Sequence, residues 1–97
     1  MKLREVVQIL RAEVLCGEEF LDEMDLECAY GADLMSDVLA FARPGSLLLT
    51  GLTNIQIVRT AQMLDLPAVI FVRGKRPQDA AIKLASQINM PVLICQM

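Results

Sequence analysis

Residues 47–95, LLLTGLTNIQIVRTAQMLDLPAVIFVRGKRPQDAAIKLASQINMPVLIC, decide the fold of this chain. Two amphipathic segments within the stretch, residues 54–64 and 78–88, are predicted to be helices. They alternate with apolar runs typical of strands buried on both faces of a parallel sheet, namely residues 47–50, 68–72 and 92–95. This order predicts a small α/β domain, with an open, mainly parallel sheet and helices on its faces.

The two strand–helix units repeat each other. Pro67 and Pro91, which are 24 residues apart, each precede a predicted strand. Because proline cannot continue a helix, each one separates a helix from the strand that follows it. The apolar faces of the two helices are separated by the same 24 residues and consist of Ile57, Val58, Ala61 and Leu64 in the first, and Ala81, Ile82, Ala85 and Ile88 in the second.

The N-terminal part of the chain predicts three further elements and one loop. Residues 13–16 and 26–32 are predicted to be strands. Residues 18–27 hold six of the twelve carboxylates, without the ligand register of a calcium loop, and are predicted to be a solvated hairpin or loop. A first helix is predicted by four apolar residues at the i, i+3, i+4, i+7 spacing of one helical face: Leu3, Val6, Val7 and Leu10.

A further helix is predicted over residues 34–42, with Asp33 as its N-cap because a carboxylate can accept from the free amides of the first turn. This helix is apolar on more than one face, and one stripe is enough to pack on a sheet. A second stripe requires another partner, so we predict a subunit interface at Met35, Leu39 and Ala42. The alternative is a helix sandwiched inside its own domain.

Composition bounds the class of protein. The 97 residues predict one domain, 1–97, and 55% of them are hydrophobic, which favours self-association as a homodimer. The net charge of −3 and the lack of a broad basic surface with stacking aromatics argue against nucleic acid as a partner. No apolar run approaches the roughly 20 residues of a membrane span. Since the N-terminus opens directly into an amphipathic pattern, we expect no signal peptide and a cytoplasmic location.

Two loops follow predicted strands at the edge of the sheet where α/β proteins bind ligands. The first contains Thr50, Gly51, Thr53 and Asn54, and the second contains Arg73, Gly74, Lys75 and Arg76. Backbone amides at a glycine turn and a cluster of cations together predict a site for a small anion. The alternative is that both glycines serve only turns that need a positive φ, and that Thr53 or Asn54 only caps a helix.

Catalytic machinery is missing from the sequence. The chain contains no histidine, the usual general base, and no G-x-x-x-x-G-K-[ST] or G-x-G-x-x-G motif. Cys16, Cys28 and Cys95 lack metal-ligand spacing and are interpreted as reduced, buried thiols. We therefore expect neither an enzyme nor a bound metal or cofactor.

The chain resembles the DRTGG domain family over roughly residues 3–94. The likeness lies in four stretches: residues 34–39 (LMSDVL), 44–51 (PGSLLLTG), 66–71 (LPAVIF) and 90–94 (MPVLI). The resemblance implies a small α/β module, usually attached to other domains such as phosphotransacetylase or CBS domains. It is also similar to the N-terminal domain of HPr kinase/phosphorylase, whose kinase chemistry lies in a separate phosphate-loop domain. A kinase label here would be inherited by association.

The name-giving residues of the family are only partly present. Its Asp-Arg pair would follow Gly51, where this chain has Leu52 and Thr53. Its Thr-Gly-Gly would fall near Val72 to Gly74 and keeps a single glycine. Two hypotheses follow. The first is a non-enzymatic regulatory or ligand-sensing homodimer that binds a small anionic metabolite or nucleotide. The second is a protein-interaction subunit that docks to a partner enzyme and has no small ligand.

Overall fold

The computed structural model describes residues 1–26 and 28–96, which form one five-stranded sheet with helices on both faces. The elements in chain order are α1 (Leu3–Leu10), β1 (Glu13–Cys16), a 3₁₀ turn (Glu18–Phe20), β2 (Cys28–Gly31), α2 (Met35–Phe41), β3 (Ser46–Thr50), α3 (Ile55–Met63), β4 (Ala68–Phe71), α4 (Asp79–Gln87) and β5 (Val92–Ile94). Strands β2 to β5 are parallel and lie in the order β5-β4-β3-β2, while β1 pairs antiparallel with β5. The predicted α/β class and mainly parallel sheet are therefore confirmed.

The sheet separates two apolar clusters of different size. Side chains that alternate along each strand point to opposite faces, so Leu48 and Leu47 belong to different clusters. Helices α2, α3 and α4 cover the Leu48 face, where Val38, Ile57 and Ala81 are buried. The Leu47 face is covered by α1 and the segment that follows β1, through residues such as Leu3, Leu21 and Leu26. All four residues of β4 are fully buried between the two layers.

The 24-residue repeat extends to the way each helix ends. Asp65 and Asn89, which are 24 residues apart, both adopt the left-handed conformation, with φ of 58° and 59°. Beyond them the amide of Leu66 donates to the carbonyl of Ala61 at 2.8 Å, and the equivalent bond after Asn89 joins Met90 to Ala85 at 2.9 Å. This is the Schellman arrangement, which satisfies the last carbonyls of a helix and turns the chain into the following strand.

The predicted N-cap of α2 is wrong. The helix starts at Met35, its N-cap residue is Leu34, and no side chain caps its first turn. The carboxylate of Asp33 accepts a hydrogen bond from the distant amide of Gly51 instead. A charged donor and a backbone amide on neighbouring strands are stronger partners for this carboxylate than the local turn.

The acidic segment is tied to α1 by charge pairs. The N-terminal ammonium lies 3.0 Å from Asp25 Oδ1, and Arg4 Nε lies 2.6 Å from Asp22 Oδ1. The segment is a 3₁₀ turn followed by further turns, and its described carboxylates are exposed, in agreement with the prediction of a solvated loop. Glu27, which belongs to both the predicted acidic loop and the predicted strand 26–32, lies outside the described residues.

The cysteines differ from one another in exposure. Cys95 is buried, Cys16 is half-buried and Cys28 is exposed, so the expectation of three buried thiols is wrong for Cys28. Burial raises the pKa of the Cys16 thiol. Of the helices described in the structure, none has the length and apolar character needed to cross a membrane.

The left-handed residue after α3 predicts the effect of Asp65→Gly. Glycine adopts a positive φ without the steric penalty of a Cβ. The relief of this penalty exceeds the additional conformational entropy that glycine loses on folding compared with aspartate. We expect the variant to be more stable by about 0.5–1 kcal/mol, which raises the melting temperature by roughly 2–8 °C. The control is Gln62→Gly, at an exposed position within α3, which should instead lower the melting temperature. A melting temperature of Asp65→Gly below that of the wild type would contradict the assigned helix end.

Candidate functional site

The strand ends bring three residues together at one edge of the sheet. Asp33 follows β2, Gly51 follows β3 and Arg73 follows β4. The amide of Gly51 donates to Asp33 Oδ1 at 2.8 Å, and Arg73 Nη2 donates to Asp33 Oδ2 at 2.7 Å. One carboxylate thus joins the carboxyl ends of three parallel strands, although its partners are 18 and 40 residues away in sequence.

Gly51 leaves space for a neighbouring side chain and has no unusual backbone conformation. Its φ is not positive, unlike that of Gly74 at 65°. A Cβ at Gly51 would overlap the guanidinium of Arg73 and lie 3.2 Å from Asp33 Oδ1. Because the φ of Gly51 is not positive, its interpretation as a positive-φ turn residue is wrong. The glycine instead leaves room for the Arg73 side chain to cross the backbone.

The second loop is a tight turn built on two left-handed residues, Arg73 and Gly74. The amide of Gly74 donates to the carbonyl of Cys95 at 2.8 Å, which ties the loop to the end of β5. A Cβ on Gly74 would lie 2.6 Å from Gln96 Oε1. For Gly74 the turn interpretation holds, and the turn projects Arg73 towards Asp33.

The remaining predicted site residues lie in different positions around this edge. Thr50 is buried, and its hydroxyl oxygen accepts from the amide of Leu52 at 3.0 Å. The carbonyl of Thr53 accepts from the amide of Gln78 at 2.9 Å, and Asn54 precedes α3 without a side-chain cap. Arg76 reaches in another direction, where its Nη1 lies 3.8 Å from Glu13 Oε2 on β1.

The electrostatics of the edge follow from these contacts. The Gly51 amide, then the Arg73 guanidinium, hold the pKa of Asp33 below its ordinary value, and the charge of Lys75 acts in the same direction. One carboxylate and two cations give the group a formal charge of +1, and Asp33 and Arg73 each keep 52% side-chain exposure. A shallow depression of about 240 Å³ opens beside them, lined by Gly31, Ala32, Asp33, Leu49, Val72 and Arg73.

The predicted interface residues are only partly free. Met35 and Ala42 are half-buried and pack against the cluster that contains Val38. Leu39 is 50% exposed on α2. Phe41 and the N-cap residue Leu34 are exposed by 63% and 62%, but Leu39 and Phe41 are two residues apart and therefore lie on different sides of the helix. In the described part of the chain, no three His, Cys, Asp or Glu side chains form a group that could hold a metal ion.

These features define a small α/β module with a polar cluster at its strand ends. The chain belongs to the DRTGG domain family, whose model matches residues 5–96. Among curated proteins, no sequence matches this chain. The assignment confirms the resemblance seen in the sequence.

A solved structure shares the fold. It contains the CBS and DRTGG domains of the regulatory region of Clostridium perfringens pyrophosphatase, complexed with the activator diadenosine tetraphosphate. The TM-score is 0.72 at 21% sequence identity, and the match covers 98% of this chain but 41% of the other. The likeness therefore concerns the fold of one part of that larger regulatory region.

The Asp33 contacts predict a pH-dependent stability. Because the pKa of Asp33 is lowered in the folded state, its contribution is present above pH 4 and is lost as the pH falls through the folded pKa, below the ordinary value of 3.8. Asp33→Asn should melt below the wild type at pH 7, and the difference should shrink as the pH falls below 3.8. Exposure limits the effect to about 1 kcal/mol or less.

Glu23→Gln provides the control for this measurement, since it removes an exposed carboxylate from the turn after the 3₁₀ segment. Its melting temperature should follow the wild type over the whole pH range. A gap between Asp33→Asn and the wild type that persists unchanged at pH 3 would contradict a charge-based role for Asp33.

Proposed function

We propose that this chain is a non-enzymatic regulatory domain that senses a small anionic metabolite, with a nucleotide as the favoured class. The observation that carries the proposal is the convergence of the Gly51 amide and the Arg73 guanidinium on one carboxylate, Asp33. Two donors that hold a carboxylate can also hold a phosphate oxygen, because both are oxyanions with similar hydrogen-bond geometry. The fold match to a regulatory region bound to a dinucleotide activator supports the same class of ligand.

Asp33 acts in this proposal as an internal substitute for the ligand. A guanidinium has five N–H donors, and the bond to Asp33 uses one of them. A phosphate group arriving at the half-exposed Arg73 can engage the other donors or displace the carboxylate. Gly74 belongs to the turn that presents Arg73, and Lys75 adds a positive charge beside it.

Displacement of Asp33 would give the domain an output. Asp33 lies in the short connection between β2, which ends at Gly31, and α2, which begins at Met35. Release of its carboxylate would free this connection from the ends of β3 and β4. The module would thereby convert ligand binding into a movement of α2, whose exposed apolar residues are available to another domain or subunit.

A binding role fits the chemistry of the site better than a catalytic role. The titratable groups at the edge are the ion pair of Asp33 with Arg73 and the neighbouring Lys75. The chain has no histidine. Among the described residues at this edge, no general acid and base flank a position where a substrate could react.

A second candidate function is a protein-interaction subunit of a larger enzyme complex, without a small ligand. The exposed apolar residues of α2 and its N-cap, which are Leu34, Leu39 and Phe41, favour it. We expect Leu39→Asp to disrupt such a complex without unfolding the domain, because half of this side chain already faces solvent. Pull-down of a candidate partner enzyme with the wild type and the variant would measure the difference.

Ligand binding is tested by thermal shift and calorimetry with diadenosine tetraphosphate, ATP, AMP and acetyl phosphate. A ligand at 100 times its Kd should stabilise the fold by about 2.7 kcal/mol. Arg73→Ala should weaken binding by about tenfold or more, since a charge-assisted hydrogen bond contributes about 1.5–3 kcal/mol. Arg59→Ala, an equal loss of charge on the exposed surface of α3, is the matched control. Equal affinities for wild type and Arg73→Ala would contradict the placement, and a flat panel would favour the second candidate.

A further inference from the structure

The two edges of the sheet are protected to different degrees. At one edge, β1 carries Glu13, which lies near Arg76, and its pairing with β5 is irregular between Val14 and Cys16. Charges and irregular pairing are the usual means by which an edge strand avoids further pairing. At the other edge, β2 has the sequence Cys-Ala-Tyr-Gly, without charge or proline, and its pairing with β3 is regular over all four residues.

The outward backbone groups of β2 can be assigned from its ladder with β3. The amide of Ala32 donates to the carbonyl of Leu49, so the backbone groups of Ala32 point towards β3. Because this direction alternates along a strand, those of Tyr30 also point inward and those of Ala29 and Gly31 point outward. Both Ala29 and Gly31 are exposed. Two N–H and two C=O groups are thus presented in one row.

Apolar side chains border this edge on both faces of the sheet. Phe41 and Arg43 line a depression of about 210 Å³ together with Cys28, Ala29 and Tyr30. On the opposite face, an apolar groove of about 290 Å³ runs between α1 and the strands, lined by Met1, Val6, Ile9, Leu10, Ala29, Leu47 and Leu49. Phe41, Met1 and Ile9 are all more than half exposed. The edge therefore offers backbone hydrogen bonds between two apolar borders.

We propose that a second copy of this chain pairs with β2 in antiparallel orientation about a two-fold axis at Tyr30, which joins the two sheets into one of ten strands. In this register Ala29 faces Gly31 of the second copy, and each pair exchanges two hydrogen bonds. All the outward groups of Ala29 and Gly31 are then satisfied. The two Tyr30 residues form the non-hydrogen-bonded pair at the centre, where cross-strand side chains are closest.

Three observations favour a second copy as the occupant. The outward groups are self-complementary, because the donors of Ala29 match the acceptors of Gly31 and the reverse. The ends of α2 carry exposed apolar residues, so antiparallel pairing brings Phe41 of one copy towards Leu34 of the other. The same pairing brings the amino end of β2, where Arg43 lies, to the carboxyl end of the second strand, which Asp33 follows.

The register is tested by disulfide formation in Tyr30→Cys. Residues in a non-hydrogen-bonded pair have their Cα atoms about 4.5 Å apart, within the range that a disulfide spans. Cys28 is the internal control, because in this register the two Cys28 residues lie four steps apart along the strand, about 13 Å. Under mild oxidation we expect Tyr30→Cys to form a disulfide-linked dimer on a non-reducing denaturing gel. The wild type should remain a monomer on the same gel.

The surface is tested separately by analytical ultracentrifugation of the reduced protein. Ala29→Pro removes an outward N–H and should abolish the dimer while leaving the ladder with β3 intact. Phe41→Asp should weaken the dimer at least tenfold. The control is Met63→Asp, which changes an equally exposed apolar residue on α3. Because α3 packs against α4 and β4, this variant should leave the affinity of the dimer unchanged. Circular dichroism melts confirm that each variant folds.

Three results would overturn the proposal. These are a monomeric wild type at every soluble concentration, a dimer that survives Ala29→Pro, and a folded Tyr30→Cys that crosslinks no faster than the wild type through Cys28. If Tyr30→Cys fails to fold, the ultracentrifugation series decides. The proposed dimer does not depend on a ligand. The dimer can therefore be disproved while the proposed anion site stands, and the anion site can be disproved while the dimer stands.

Discussion

The burial of β4 on both of its faces is the constraint on which the rest of this structure depends. Its four residues are inaccessible to solvent, so apolar layers must cover both sides of the sheet. Three helices cover one side, but α1 and the acidic segment cover the other side less completely. Among the described residues, β2 forms one edge of the sheet and lies beside an apolar groove between α1 and the strands.

Much of the fold can be predicted from local sequence patterns. The three apolar runs without alternation predicted β3, β4 and β5 to within one residue at every end, because strands buried on both faces need no polar side. The 24-residue repeat predicted α3 and α4, and it extends to the left-handed residues Asp65 and Asn89. These features depend on neighbours within a few residues, so a single sequence contains the information.

The site could be predicted only in part, since its main contacts are distant in sequence. Gly51 and Arg73 were expected at the edge where ligands bind, but their common partner was assigned to a helix cap. Asp33 follows a strand and precedes a helix, and both roles are compatible with that position. Its bond to Arg73 spans 40 residues and exists only because parallel β2, β3 and β4 end at the same edge. Arg76 illustrates the reverse case, since it is adjacent to the site in sequence but points to β1.

The order of the strands also bears on how the chain folds. Strands β2 to β5 are each beside their neighbour in sequence, so they can assemble one unit at a time with short loops to close. Strand β1 is different, because its residue Glu13 pairs with Ile94, almost a full chain length away. Closing so long a loop carries the largest entropic penalty, and contacts of this kind slow folding. We therefore expect the N-terminal strand to join the sheet last and to detach from it first.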